Sequence, residues 1–150
     1  MKPVSISIVI DQPIDTVFRA FADIPFVTEV DPNTVSAKLV KGQAFHNGAK
    51  YDMVFKGLTR EIKGWYEFVE YDEPSRFKVN LLVNLGPGNE VTTFESGTGG
   101  VKVTWVGSYD LKWYAVALTP LLRWMTRKKG NNWLRLMKQA IEAGYPPKSS

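Results

Sequence analysis

The sequence predicts an α+β domain in which a curved, seven-stranded antiparallel sheet wraps around a long C-terminal helix, with two short helices between the first and second strands. Three observations carry this. From Thr34 to Leu111 the chain is a series of short runs rich in β-branched and aromatic residues. The breaks between those runs are turn-forming and brief, whereas a parallel sheet needs crossovers of about a dozen residues or more. After Leu111 the apolar spacing changes from two to three or four and stays so to Ala143.

The elements follow in order. Val4 to Ile10 alternates Ile6, Ile8 and Ile10 against Ser5 and Ser7, the pattern of a half-buried strand. Asp11-Gln12-Pro13 ends it, and Pro13 suits a helix start, where its missing N–H is no loss. Ile14, Val17, Phe18 and Phe21 then recur at helical spacing through Ala22, a second short helix covers Ile24 to Val30, and Asp31-Pro32-Asn33 reads as a turn. Six strands are expected at Thr34–Lys41, Lys50–Phe55, Glu61–Tyr71, Arg76–Val83, Glu90–Ser96 and Val101–Leu111. The breaks hold Gly42, Asn47-Gly48, Gly57, Asp72-Glu73-Pro74, Gly86-Pro87-Gly88 and the glycines from Gly97 to Gly100. Pro120 starts the last helix, which carries Leu118, Leu122, Met125, Trp133, Leu136, Met137 and Ala140 on one side and reaches a C-cap at Gly144. Unbroken, it is about 35 Å long at 1.5 Å per residue. Gly130-Asn131-Asn132 are poor helix formers and open the option of a kink there.

Composition narrows the function. At 150 residues the chain is the size of one domain, residues 1–150, and buries enough surface to fold without a metal or disulfide. There is no cysteine, so disulfides and thiolate metal sites are excluded. The single histidine, His46, cannot build a metal site with the usual partners, and no metal or cofactor is expected. The opening residues lack the apolar run of a secretory signal, and the longest apolar stretch, Trp113 to Leu122, is far below the roughly 20 residues that span a bilayer. A cytoplasmic location is expected. The net charge of +4 gathers on Arg123, Arg127, Lys128, Lys129, Arg135 and Lys138 of the last helix, without a nucleic-acid motif, so nucleic acid is not an expected partner.

Ile10-Asp11-Gln12-Pro13-Ile14-Asp15-Thr16-Val17-Phe18 resembles the opening strand-to-helix passage of the START-like, or SRPBCC, superfamily. Tyr71-Asp72-Glu73-Pro74-Ser75-Arg76-Phe77 is similar to that superfamily's hairpin between the fourth and fifth strands. The superfamily includes the birch pollen allergen family and the polyketide cyclase-like proteins, and the likeness runs over nearly the whole chain. It implies a helix-grip fold with a cavity between sheet and last helix for a lipid, polyketide, quinone or similar molecule. It implies no catalytic residue.

Strand parity supplies the lining, because successive side chains face opposite sides of a sheet. Phe77, Val79, Leu81 and Val83 share a face, as do Val101, Val103, Trp105 and Tyr109, and Tyr51, Met53 and Phe55. The fourth strand is ambiguous, with Ile62, Tyr66 and Phe68 alternating with Trp65 and Val69, and reads as doubly covered or bulged. The expected ligand contacts are Met53, Phe55, Tyr66, Phe68, Val79, Leu81, Val103, Trp105 and Tyr109 from the sheet, and Met125, Trp133 and Met137 from the helix. Asp52, Lys56, Lys78, Lys102 and Asp110 fall on the outer face, leaving Tyr51, Tyr66 and Tyr109 as the inward polar groups.

Three readings follow. A carrier binds a small hydrophobic molecule and releases it unchanged. A polyketide cyclase-like enzyme uses Tyr66, Tyr109 or His46 to orient a substrate and move a proton. A docking module presents Trp124 and the basic helix to a protein or an anionic membrane. Monomer and homodimer are both open.

Overall fold

A computed structural model describes residues 1–83 and 86–146. β1 (Val4–Ile10) is followed by α1 (Ile14–Ala22) and α2 (Ile24–Val30), then β2 (Thr34–Lys41), β3 (Lys50–Lys56), β4 (Glu61–Asp72), β5 (Arg76–Val83), β6 (Gly86–Gly97) and β7 (Gly100–Tyr109). A 3₁₀ helix (Trp113–Leu118) leads into α3 (Thr119–Ala143). Pro13 precedes α1 with its carbonyl accepting from Val17 N at 3.0 Å. Asp23 caps α2 by accepting from Phe26 N at 3.2 Å, which satisfies one of that helix's free donors.

The seven strands form one sheet in the order β1-β7-β6-β5-β4-β3-β2, with every neighbouring pair antiparallel. The edges β1 and β2 are joined through α1 and α2, and curling the sheet brings those edges within reach of so short a link. β4 carries a register shift between Phe68 and Glu70, a bulge that accounts for Val69, while Trp65, paired with Asp52 before the bulge, lies on the outer face with Lys50 Nζ 4.9 Å from its ring centre.

β6 starts at Gly86, not Glu90, and the Gly86-Pro87-Gly88 segment expected as a turn is strand. Partners on both sides override the turn composition: Gly88 pairs with Leu81 of β5 and with Tyr109 of β7, while Pro87 contributes its carbonyl to Asp110 N at 2.8 Å. The link to β5 falls on residues 84 and 85, outside the described residues. β7 stops at Tyr109, two residues short of the expected Leu111.

α3 runs as one helix through Gly130, where a kink was an open option. Gly130 faces β1, where a Cβ would sit 2.5 Å from Ile6 Cδ1, so a larger residue requires that methyl end to turn aside. The helix packs mainly on β1, one of the two edge strands of the sheet. Its basic side chains also serve that edge. Arg123 Nη1 donates to the carbonyls of Lys2 and Pro3, Arg127 Nη1 to Ser5 O at 3.1 Å, and Lys138 Nζ to Val9 O at 2.6 Å. An exposed strand edge invites pairing with another chain, and these three cations occupy its acceptors. Arg127→Met keeps the alkyl stem and removes the donor, so it is expected to lower unfolding free energy by about 1 kcal/mol in urea titration.

Of the side chains expected on the apolar side of α3, only Met137 is fully buried; Leu122, Trp133, Leu136 and Ala140 are half-buried, and Leu118 and Met125 are exposed. The other two core residues of the helix, Leu134 and Ile141, lie outside that expected set. Among the described residues no helix is long and apolar enough to cross a membrane.

α1 turns Val17, Phe18, Ala20, Phe21 and Ala22 inward. Phe18 meets Tyr71, Phe77 and Phe94 edge-on, with ring centroids 5.3, 5.6 and 5.0 Å away. This aromatic cluster closes one end of the sheet's concave face. The other end is not filled.

Candidate functional site

The unfilled end is a cavity of about 230 Å³ between the sheet, α1, α2 and α3. Met53 and Phe55 of β3, Tyr66 of β4, Val79 of β5, Trp105 and Tyr109 of β7, and Trp133 of α3 all line it. Phe68, Leu81, Val103 and Met137 do not. They face inward as parity requires but are packed in the core, Phe68 within the aromatic cluster against Tyr71 and Phe77. Met125 lies on the outer side of α3 and borders a separate surface hollow. His46 is exposed in its loop with Nδ1 2.9 Å from Ala44 O, away from the cavity. Tyr51 is buried outside it.

Sequence reasoning missed several lining residues, among them Phe77 and Val83 of β5, whose inward face it had read without counting them as contacts. Phe21, Ile24 and Val27 close the cavity from α1 and α2. Glu90 and Thr92 enter from β6, and Glu90 brings a carboxyl group beside the aromatic wall of Tyr66, Trp105 and Tyr109. Thr92 and Phe94 are buried, so the two-residue repeat of a strand places Glu90 on the same inner face.

Glu90 is held by aromatic neighbours. Tyr109 Oη donates to Glu90 Oε2 at 2.9 Å. Gly107, paired with Glu90 across the β6–β7 ladder, has no side chain, and the Trp105 ring folds over it: a Cβ there would sit 2.4 Å from Trp105 Cη2. Burial pushes the Glu90 carboxyl from an ordinary 4.5 up to about 7, against the opposing pull of hydrogen bonds from Tyr109 and Trp105, while the Asp31 charge adds to the rise. Burial likewise raises the phenols of Tyr66 and Tyr109 well above their usual range, with the Glu90 charge as the next cause. Near neutrality the site therefore holds one carboxyl poised between its two forms beside two un-ionised phenols.

Two further polar features bear on recognition. Trp133 Nε1, on the α3 side of the cavity, is buried and has no hydrogen-bond partner among the described residues. At the end nearest solvent the lining becomes polar, with Asp31, Asn33, Thr126 and Lys129. Asp31 is fixed there by its own turn, accepting from Asn33 N at 2.9 Å and from the Thr34 hydroxyl at 2.8 Å.

A buried apolar hollow with a few fixed polar groups is the usual build of a small-molecule site. The profile of a family described as "Polyketide cyclase / dehydrase and lipid transport" matches residues 1–143 of the sequence. The chain belongs to this family. It is thus a member of the START-like, or SRPBCC, superfamily, and its sheet and terminal helix form the helix-grip fold. Its fold is similar to that of Ara h 8.0201, with a TM-score of 0.77 at 14% identity over 95% of this chain and 98% of the other. It is also similar to TTHA0849 from Thermus thermophilus, with a TM-score of 0.75 at 15% identity over 94% and 97% of the two chains. Ms6760 from Mycobacterium smegmatis gives 0.70 at 21% identity over 94% and 91%. At such identities the likeness is one of fold. No curated protein matches this polyketide cyclase/dehydrase and lipid-transport family member in sequence.

Proposed function

We propose that this chain binds a small, ring-sized hydrophobic molecule in the cavity between its sheet and α3 and carries it in the cytoplasm. The observation that carries this reading is the cavity itself, about 230 Å³ of unfilled interior walled by aromatic and aliphatic side chains. An apolar cavity of roughly 150 Å³ holds benzene, so this one suits a molecule of one or two rings better than a long acyl chain. Lipid transport in the family description supports a carrier role. Glu90, Tyr66 and Trp133 supply the polar contacts, and the unpaired Trp133 indole calls for an acceptor on the ligand. Met53, Phe55, Val79, Trp105 and Tyr109 supply the apolar wall.

The test is titration with a neutral fluorescent two-ring compound, 1-aminonaphthalene, alongside native mass spectrometry of protein purified without detergent. Val27→Trp places a large ring in the cavity from a half-buried position on α2 that the fold can tolerate. It is expected to weaken binding at least about tenfold, near 1.4 kcal/mol, with unchanged circular dichroism. Equal affinity in Val27→Trp and wild type would place the ligand elsewhere.

A second reading rests on the Glu90–Tyr109 hydrogen bond. A carboxyl with a pKa near the working pH is suited to general acid–base catalysis, and the family description includes cyclases and dehydrases. Glu90 with Tyr109 is a better proton-transfer pair than the phenols alone, and under this reading the bound molecule leaves chemically changed.

A further inference from the structure

The 3₁₀ helix and the first half of α3 leave six large apolar side chains exposed within twelve residues: Trp113, Tyr114, Val116, Leu118, Leu121 and Trp124, with Trp113 edge-on to Tyr114 at 5.8 Å between centroids. Trp113 is 86% exposed and Trp124 58%, on a chain that buries every other tryptophan at least in part. Soluble chains rarely leave so many large apolar side chains together in water, and where they do the patch usually meets a partner.

The charge around the face says which partner. From Leu111 to Ile141 the sequence has seven Lys and Arg residues and no Asp or Glu. Arg123, Arg127 and Lys138 are occupied on the β1 edge, but Lys112, Lys128 and Lys129 stay beside the apolar face. Lys128 Nζ lies 5.0 Å from the centre of the Trp124 ring, and Lys112 Nζ lies 5.9 Å from that of Tyr114. Rings and ammonium groups thus share one surface, an arrangement in which indoles enter the headgroup layer while lysines meet its phosphates.

We propose that this face docks on an anionic lipid bilayer. The fold places the cavity beside it. A shallow hollow bordered by Pro32, Asn33, Trp124, Met125, Lys128 and Lys129 shares Asn33 and Lys129 with the polar end of the cavity. A docked chain therefore turns that end toward the membrane, where an apolar ligand can pass from lipid to protein without crossing water. That consequence rests on the proposed ligand binding; the docking does not, and it is tested on protein without added ligand.

The experiment is flotation with vesicles of phosphatidylcholine alone and of phosphatidylcholine mixed with phosphatidylglycerol, at low and high salt. The wild-type chain is expected to float with the anionic vesicles, weakly or not at all with the neutral ones, and less at high salt. Lys112→Gln with Lys128→Gln removes two cations and is expected to weaken anionic-vesicle binding about 25-fold, near fivefold for each. Trp113→Ser with Trp124→Ser is expected to weaken it at least as much, and both pairs are at exposed positions where folding is not at stake. Absence of flotation with anionic vesicles overturns the proposal, as does flotation that neither double variant reduces. It is also overturned if light scattering shows a dimer that Trp113→Ser with Trp124→Ser splits while vesicle binding is absent, because the face then covers a second copy of the chain.

Discussion

Glu90→Gln is expected to become more stable relative to the wild-type chain by roughly 2–3 kcal/mol as the pH rises from 5 to 8.5. The folded chain holds the Glu90 carboxyl at about 7, against 4.5 for the same group in water. Between those values the folded state keeps a proton that the unfolded state has released. Stability therefore falls as pH rises through the interval, and above about pH 7 the full cost of a buried carboxylate is present. Glutamine has no proton to lose, yet its side-chain oxygen can still accept from Tyr109, so the local geometry survives. The other titratable groups lining the cavity are Asp31, Lys129, Tyr66 and Tyr109, and all four are present in both proteins. Urea unfolding at a series of pH values measures the gap directly. A gap that stays constant across this range would mean that Glu90 titrates as if solvated, and that its cavity is open to water.

That carboxyl was also the feature least legible in the sequence. Parity identified the inner faces of β5 and β7 because Lys78, Asn80, Lys102 and Thr104 alternate cleanly with apolar partners. β6 offered no such contrast: Val91 is apolar on the outer face, Glu90 polar on the inner one. Its glycine-rich start also read as a turn, which put Glu90 at a strand end where facing has little meaning. The lining residues divide for a different reason. Phe68, Leu81 and Val103 have the same parity as Phe55, Val79 and Trp105, and no local pattern separates packed core from cavity wall. What separates them is where α1 drops Phe18 and Phe21 onto the sheet, a contact across more than fifty residues of chain for Tyr71 and Phe77 and more than seventy for Phe94. The edge-capping role of Arg123 and Arg127 was hidden in the same way, since their acceptors are backbone carbonyls at the far end of the chain. Local spacing did reveal both short helices, whose bounds are those expected, because capping and turn chemistry act within a few residues.

Phe18→Ala is expected to cost about 3–5 kcal/mol, a large part of the roughly 5–15 kcal/mol that holds an ordinary domain folded. Phe18 is completely buried, and its ring is the common partner of Tyr71 on β4, Phe77 on β5 and Phe94 on β6. Truncation leaves a hole ringed by stiff aromatic side chains that cannot collapse into it, so the cavity cost adds to the lost transfer energy. Three edge-to-face contacts, each worth about 0.5–1.5 kcal/mol beyond area, are lost with it. The damage reaches the site through α1. Phe21, one turn on from Phe18, lines the cavity and rests edge-on against Trp133 with centroids 5.5 Å apart. An α1 that no longer grips the sheet lets that wall move, and ring-compound affinity should fall together with stability. Phe18→Leu fills most of the same volume and is expected to lose much less on both counts. Urea titration and thermal unfolding of the two variants, with 1-aminonaphthalene binding measured on each, separate the cases. A loss below about 1 kcal/mol in Phe18→Ala would show that the cluster can repack, and that something other than this ring sets the boundary between solid core and cavity.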